Sequence, residues 1–147
     1  IGGRDPQSIL NAVDVVDPAH NPTLQRGYLG QPNWCNRAVY LFCTELGVPL
    51  IFGEYGTRAN DQIAWLDAGN GGWFPVGSKA EAQQLALDGF VVLATYYNMT
   101  PGASGHMALV LPLAGTMQIA QAGAKNFNRG TVANGFGAIQ PVYYAHS

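Results

Sequence analysis

The spacing of apolar residues changes character once along this chain, near Gly89, and that change does most to limit the fold. Before it, apolar residues recur at intervals of three and four, the mark of helices with one buried stripe. After it come short β-rich runs split by glycine-containing loops. Residues 7–16, 34–46, 59–66 and 79–87 are the predicted helices, and residues 89–97, 106–113, 117–122 and 140–145 the predicted strands. Helices first and an antiparallel sheet second is an α+β pattern.

The punctuation supports this division. Asn33 is a suitable N-cap for the second helix, whose stripe is Cys35, Val39, Phe42, Cys43 and Leu46, and Gly47 followed by Pro49 stops it. Ser78 and Glu81 form a capping box for the fourth helix, and Gly89 is its terminal glycine. A loop broken by Pro18, Pro22, Gly27, Gly30 and Pro32 joins the first two helices, and residues 123–137 read as a long Gly- and Asn-rich loop. No repeat, low-complexity tract or charged linker divides the sequence, so residues 1–147 are read as one domain.

Charge narrows the partners. Asp, Glu, Lys and Arg make up only 11% of the chain, against about 25% in ordinary proteins, and the formal net charge is -2. Neutralising phosphates takes a basic stripe, and this chain has only Lys79, Lys125 and a few arginines. Nucleic acid and anionic membrane surfaces are therefore excluded as expected partners. No apolar run approaches the roughly 20 residues of a membrane span. The first residue, Ile1 rather than Met, is what a processed chain would show.

Cys35 and Cys43 lie eight apart within one predicted helix, a rise of about 12 Å, too far for a disulfide. Both are expected as free thiols. Cys43 sits mid-helix on the apolar stripe, as a small hydrophobe would. Cys35 lies at the second position of the helix capped by Asn33, where free N–H groups and the helix dipole lower a thiol's pKa. Facing a Pro/Gly loop, it is expected to be reachable. His106 follows PGASG and opens an apolar strand, which sets an imidazole beside glycine-rich access. A thiolate with a neighbouring imidazole is the activated pair that acyl transfer from amides requires. Gln121 is the natural third group, orienting His106, if the two occupy adjacent antiparallel strands. With His20, His106 and His146 the cysteines share no zinc-like spacing, so neither metal nor cofactor is expected.

The stretches YLGQPNWCNRAV, TELGVPL, KAEAQQLALDGFVVLA and GHMALVLP occur in the order and spacing of a known family. The chain resembles the NlpC-type branch of papain-like cell-wall cysteine peptidases, and most of all the compact peptidoglycan amidase effectors of type VI secretion. The likeness runs from about Tyr28 to Leu111, with a looser tail to Tyr144. It implies a papain-like fold, Cys35 as nucleophile at a helix start packed on an antiparallel sheet, and His106 as base. It also implies cleavage of an amide in the peptidoglycan stem peptide, typically between D-glutamate and the diamino acid, through a Cys35 thioester. The family often has Asp or Asn before the cysteine and Ser-Gly after it, where this chain has Trp34 and Asn36-Arg37.

Several further expectations follow from the resemblance. Gln121 or Asn126 would fill the family's polar third position, orienting the imidazole without a carboxylate behind it, so that Cys35 and His106 work as an ion pair. The oxyanion would lie near the Cys35 backbone N–H. Tyr28 resembles the family tyrosine facing the site. Trp34, Asn36, Arg58 and Asn126 are the other substrate-binding candidates, with Trp34, Trp65 and Trp73 either walling a groove or packing the core, and Arg58 and Arg129 available to a stem carboxylate. A monomer in the cell-wall compartment is expected, secreted or periplasmic or delivered into a target cell, with an immunity protein as a second partner. Two other readings stay open: a catalytically silent module that binds wall fragments, and a papain-like deamidase or acyltransferase acting on a protein or lipid.

Overall fold

A computed structural model describes residues 4–53 and 57–147. Five α-helices and six strands are described: α1 (Pro6–Val16), α2 (Cys35–Leu46), α3 (Ala59–Asp67), β1 (Phe74–Val76), α4 (Lys79–Leu87), β2 (Val91–Tyr96), β3 (His106–Val110), β4 (Gln118–Gln121), β5 (Phe127–Thr131), α5 (Val132–Phe136) and β6 (Val142–His146). The strands form one antiparallel sheet in the order β1-β6-β2-β3-β4-β5. The chain is an α+β protein.

Side-chain alternation splits the core into two layers. Val91, Leu93, Met107, Leu109, Ala120 and Tyr144 face one way, against the buried stripes of α1, α2 and α3. Val92, Ala94, Ala108, Val110 and Ile119 face the other way, against Ala82 and Ala86 of α4 and Val132 and Phe136 of α5. Helices thus cover both faces. That is why β2 and β3 read as continuous apolar runs rather than alternating ones.

The helix signals act much as the sequence predicts. Gly47, at φ +71°, donates to the carbonyls of Cys43 and Thr44 and closes α2. Ser78 Oγ accepts the Glu81 N–H at the start of α4, so the predicted capping box forms in its serine half, without the return bond to the Glu81 carboxylate. At the start of α2 the expectation needs correction. Trp34 occupies the N-cap position and Cys35 is the first helical residue, while Asn33 reaches in from outside with Oδ1 3.4 Å from the Cys35 nitrogen.

Residues 123–137 are not one loop. They contain edge strand β5 and the single-turn helix α5, the latter capped by Thr131, whose Oγ accepts the Asn134 N–H. Edge strand β1 also escaped the sequence patterning. Three to five residues are too few to show a period, and strands β5 and β1 owe their form to pairing with β4 and β6. Pro75 is tolerated in β1 because it lies at the sheet's edge.

Candidate active site

Cys35 opens α2 and is almost fully buried, at 3% exposure. The Met107 N–H faces its sulfur, which places the thiol against the peptide that joins His106 to Met107. Gln62, fully buried in α3, anchors this corner by donating to the Asn36 carbonyl at 3.0 Å and the Ile51 carbonyl at 3.1 Å.

His106 begins β3. Met107 and Leu109 point toward α2, so His106 points to the other face, where its ring meets Phe136 of α5 edge to face with centroids 4.7 Å apart. The thiol, facing the Met107 N–H, and the imidazole, packed on Phe136, therefore lie on opposite faces of the sheet at the start of β3. Strands β3 and β4 are adjacent and antiparallel, with Leu109 opposite Ala120 and Val110 opposite Ile119. Continuing that register sets Gly123 across from His106 and Gln121 on the diagonal, on the same face. His106 Nε2 and Gln121 Oε1 are 2.7 Å apart.

The amide of Gln121 fixes the tautomer of His106. Its Nε2 donates to the Lys125 carbonyl at 2.9 Å. A carbonyl can only accept, so the amide nitrogen belongs on that side and the oxygen faces the ring. The proton of the neutral imidazole then sits on Nε2, and Nδ1 is left as the basic nitrogen.

Two glycines make room for this pair. A Cβ at Gly123 would come within 3.0 Å of His106 Cε1, and one at Gly135 would strike Gln121 Oε1 and come within 2.8 Å of Ile119 Cδ1. Gly135→Ala should therefore push Gln121 off His106 and destabilise the chain by about 1–3 kcal/mol. Thermal melts and the His106 ring signals in NMR would show both effects, and unchanged ring signals would contradict the steric account.

The electrostatics differ from the acidic thiolate expected at a helix start. Burial pushes the Cys35 thiol up to about 11, and the N–H groups of Met107, Asn36 and Cys35 offset only part of that. Burial also holds His106 below its ordinary value of 6.5, with the Gln121 bond opposing. Both shifts favour a neutral thiol beside a neutral imidazole. The expectation of a resting ion pair is corrected accordingly, as is that of an acidified Cys35, whose access narrows to one small cavity. The dipole of a helix end is worth less than the desolvation of an almost fully buried sulfur.

Stability should follow the same shifts. Cys35 and Cys43 are both raised above 9.0, so the folded chain binds their protons more tightly than the unfolded one. Their contribution is intact below pH 9.0 and is lost as pH rises beyond it. His106 is lowered, so its contribution is intact above pH 6.5 and lost as pH falls. Melting temperature should be highest between these limits, and Cys43→Ala should flatten the alkaline decline. A melting temperature still rising past pH 9 would contradict the burial of the thiols.

The remaining candidates divide. A small cavity of about 70 Å³ reaches Cys35 between Gln31, Asn33, Asn36, Arg58 and Ser104. Arg58 lies exposed at its rim, at the start of α3. Asn36 lines it, but donates to the Thr57 carbonyl at 2.8 Å and accepts the Arg37 N–H at 2.9 Å. Trp34 is a core residue at 4% exposure, donating to the Tyr28 carbonyl at 2.9 Å, and Trp73 is likewise buried. The structure sets Tyr28 edge-on to Trp34, with the Arg37 guanidinium 5.8 Å from both ring centroids, rather than in that cavity. Asn126 is turned to the chain itself: it donates to the carbonyls of Pro18 and Leu24 and accepts the Gly123 N–H. A substrate contact through that amide is corrected to a structural one, because its two donors and its oxygen are already engaged.

Sequence reasoning missed Gln62, Phe136, Gly123 and Gly135. The glycines carry no signal of their own, since the need for them arises only when two strands and α5 converge on the imidazole. Both cysteines are free. Among the described residues no group of His, Cys, Asp or Glu is placed to hold a metal, and no helix is long and apolar enough to cross a membrane. Comparison with known protein families and with curated proteins finds no match to this chain.

Proposed function

We propose that this protein is a cysteine amidase of the papain-like, NlpC type that hydrolyses an amide of the peptidoglycan stem peptide, at the bond between D-glutamate and the diamino acid. The observation that supports it most is the junction at the end of β3: a lone thiol at a helix start, lying against the backbone of a histidine whose Nδ1 is kept basic by Gln121.

In this reading the resting pair is neutral. Nδ1 of His106 takes the Sγ proton as sulfur attacks the amide carbonyl, and the imidazolium then protonates the leaving amine as the C–N bond breaks. Water, deprotonated by the same nitrogen, hydrolyses the thioester and returns the proton to Cys35. The oxyanion forms beside the Cys35 N–H, whose long contact with Asn33 is easily exchanged for a shorter one. On this reading the proton would pass from Sγ to Nδ1 around the end of β3, and substrate would enter over the segment carrying Gln31 and Asn33.

The burial of Cys35 and its elevated pKa favour a second reading, a catalytically silent module that binds wall fragments. Digestion of purified sacculi, with fragments read by mass spectrometry, separates the two. New amine ends at the stem peptide, released at a rate that depends on Cys35, support the amidase and identify the bond. Binding to sacculi without new ends overturns it in favour of the module, and amine exchange without hydrolysis points to an acyltransferase.

A further inference from the structure

We propose that Asn126 is a positioning residue for the histidine base, acting through the turn between β4 and β5; the assignment rests on the reading of His106 as a base. Residues 123–126 make a tight turn whose shape Asn126 sets by accepting the Gly123 N–H at 2.9 Å. Its two amide hydrogens go to the Leu24 carbonyl at 2.8 Å and the Pro18 carbonyl at 3.0 Å. The turn is thereby bolted to the connection between α1 and α2, more than a hundred residues away in the chain.

Both ends of this turn reach the candidate site. Gly123 lies against the Cε1 edge of His106. Lys125, immediately before Asn126, supplies the carbonyl that decides which way the Gln121 amide faces. If that carbonyl moves, no other hydrogen bond among the described residues holds Gln121 Oε1 rather than its Nε2 toward the ring. The proton would then no longer be confined to the Nε2 of His106, and the basic nitrogen would be shared between two positions. Asn126 therefore controls a protonation pattern without touching the ring.

Asn128 provides the internal control. It points the same way two residues on, accepts the Ala19 N–H at 3.0 Å and donates to Asp17 at 2.9 Å. It clamps β5 to the same connection, yet it has no bond within the turn that holds Lys125.

The test reads the imidazole directly, by ¹⁵N NMR of ring-labelled full chain, and does not depend on activity. The intact protein should show one neutral tautomer, protonated on Nε2. Asn126→Ala should give a mixture of both tautomers with the fold retained, while Asn128→Ala should lower the melting temperature and leave the tautomer unchanged. Should Asn126→Ala fail to fold, Asn126→Ser keeps an acceptor near the Gly123 N–H while losing both donors to the connection, and the same mixture is expected. An unaltered tautomer in a folded Asn126 variant, or an equal change in Asn128→Ala, overturns the assignment. In sacculus digestion kcat should fall about 10- to 100-fold with KM little changed. A wild-type chain that cleaves nothing while the tautomers respond as stated would defeat the amidase reading and leave the positioning role in place.

Discussion

Alanine at Cys35 should abolish the release of new amine ends from sacculi, by more than about a thousandfold, while the melting temperature stays nearly the same. The two halves of that result have separate causes. Removing the sulfur removes the atom that would form the proposed thioester, and no neighbouring group can replace it. The side chain is small, and the protein loses only the contacts of one sulfur with its neighbours, a change of about 1 kcal/mol or less. Serine at the same position should be nearly as inactive, because a buried hydroxyl is harder to deprotonate than a thiol.

The pH profile adds a sign to this prediction. With His106 below 6.5 and Cys35 up at about 11, the singly protonated pair spans the range between them. kcat/KM should rise through an acid limb below pH 6.5 and then stay level past neutrality. Iodoacetamide should label Cys35 slowly at pH 7 and faster as pH climbs toward 11. Rapid labelling that is already complete near neutrality would mean an acidic thiolate and would contradict the buried environment of the sulfur.

Leucine at Gln121 should produce the second large effect, about 100-fold in kcat with little change in KM. Gln121 is buried and both ends of its amide are used, so the substitution strands the His106 Nε2–H and the Lys125 carbonyl together. Leaving such groups unpaired costs about 1–3 kcal/mol each in stability. Gln121→Glu separates orientation from charge. Its oxygen still accepts from Nε2, so the ring keeps its tautomer, and a carboxylate behind the ring raises the pKa of His106. The acid limb should then move to higher pH. A Gln121→Leu enzyme with wild-type kcat and an unmoved acid limb would remove Gln121 from the orienting role.

Much of the frame was legible in the chain. The helix over residues 34–46 announced itself through its stripe and its Gly47 stop, and strands β2 and β3 through runs of Val, Leu and Ala. The placement of His106 at a strand start, with Gln121 one strand over, was also readable, because antiparallel neighbours joined by a short loop leave few registers open. What stayed hidden was set by contacts distant in sequence. Strand β5 and helix α5 carry too few residues for a period. The duty of Asn126 depends on carbonyls at Pro18 and Leu24, and nothing local to GAKNFNRG indicates them.

Cys35 marks the boundary between the two kinds of information. By sequence it is a thiol at a helix start beside a flexible-looking loop, and local electrostatics alone would make it acidic. In the folded chain, α2 docks on β3 and the surrounding side chains remove water from the sulfur, and desolvation outweighs the helix end. The sequence by itself determined the longer helices and strands, their order and which groups are candidates for chemistry, because periodicity, caps and strand alternation are local. Only the tertiary structure decided their protonation states, the tautomer of the imidazole and which amides were free, because those depend on burial and on partners brought together from across the chain.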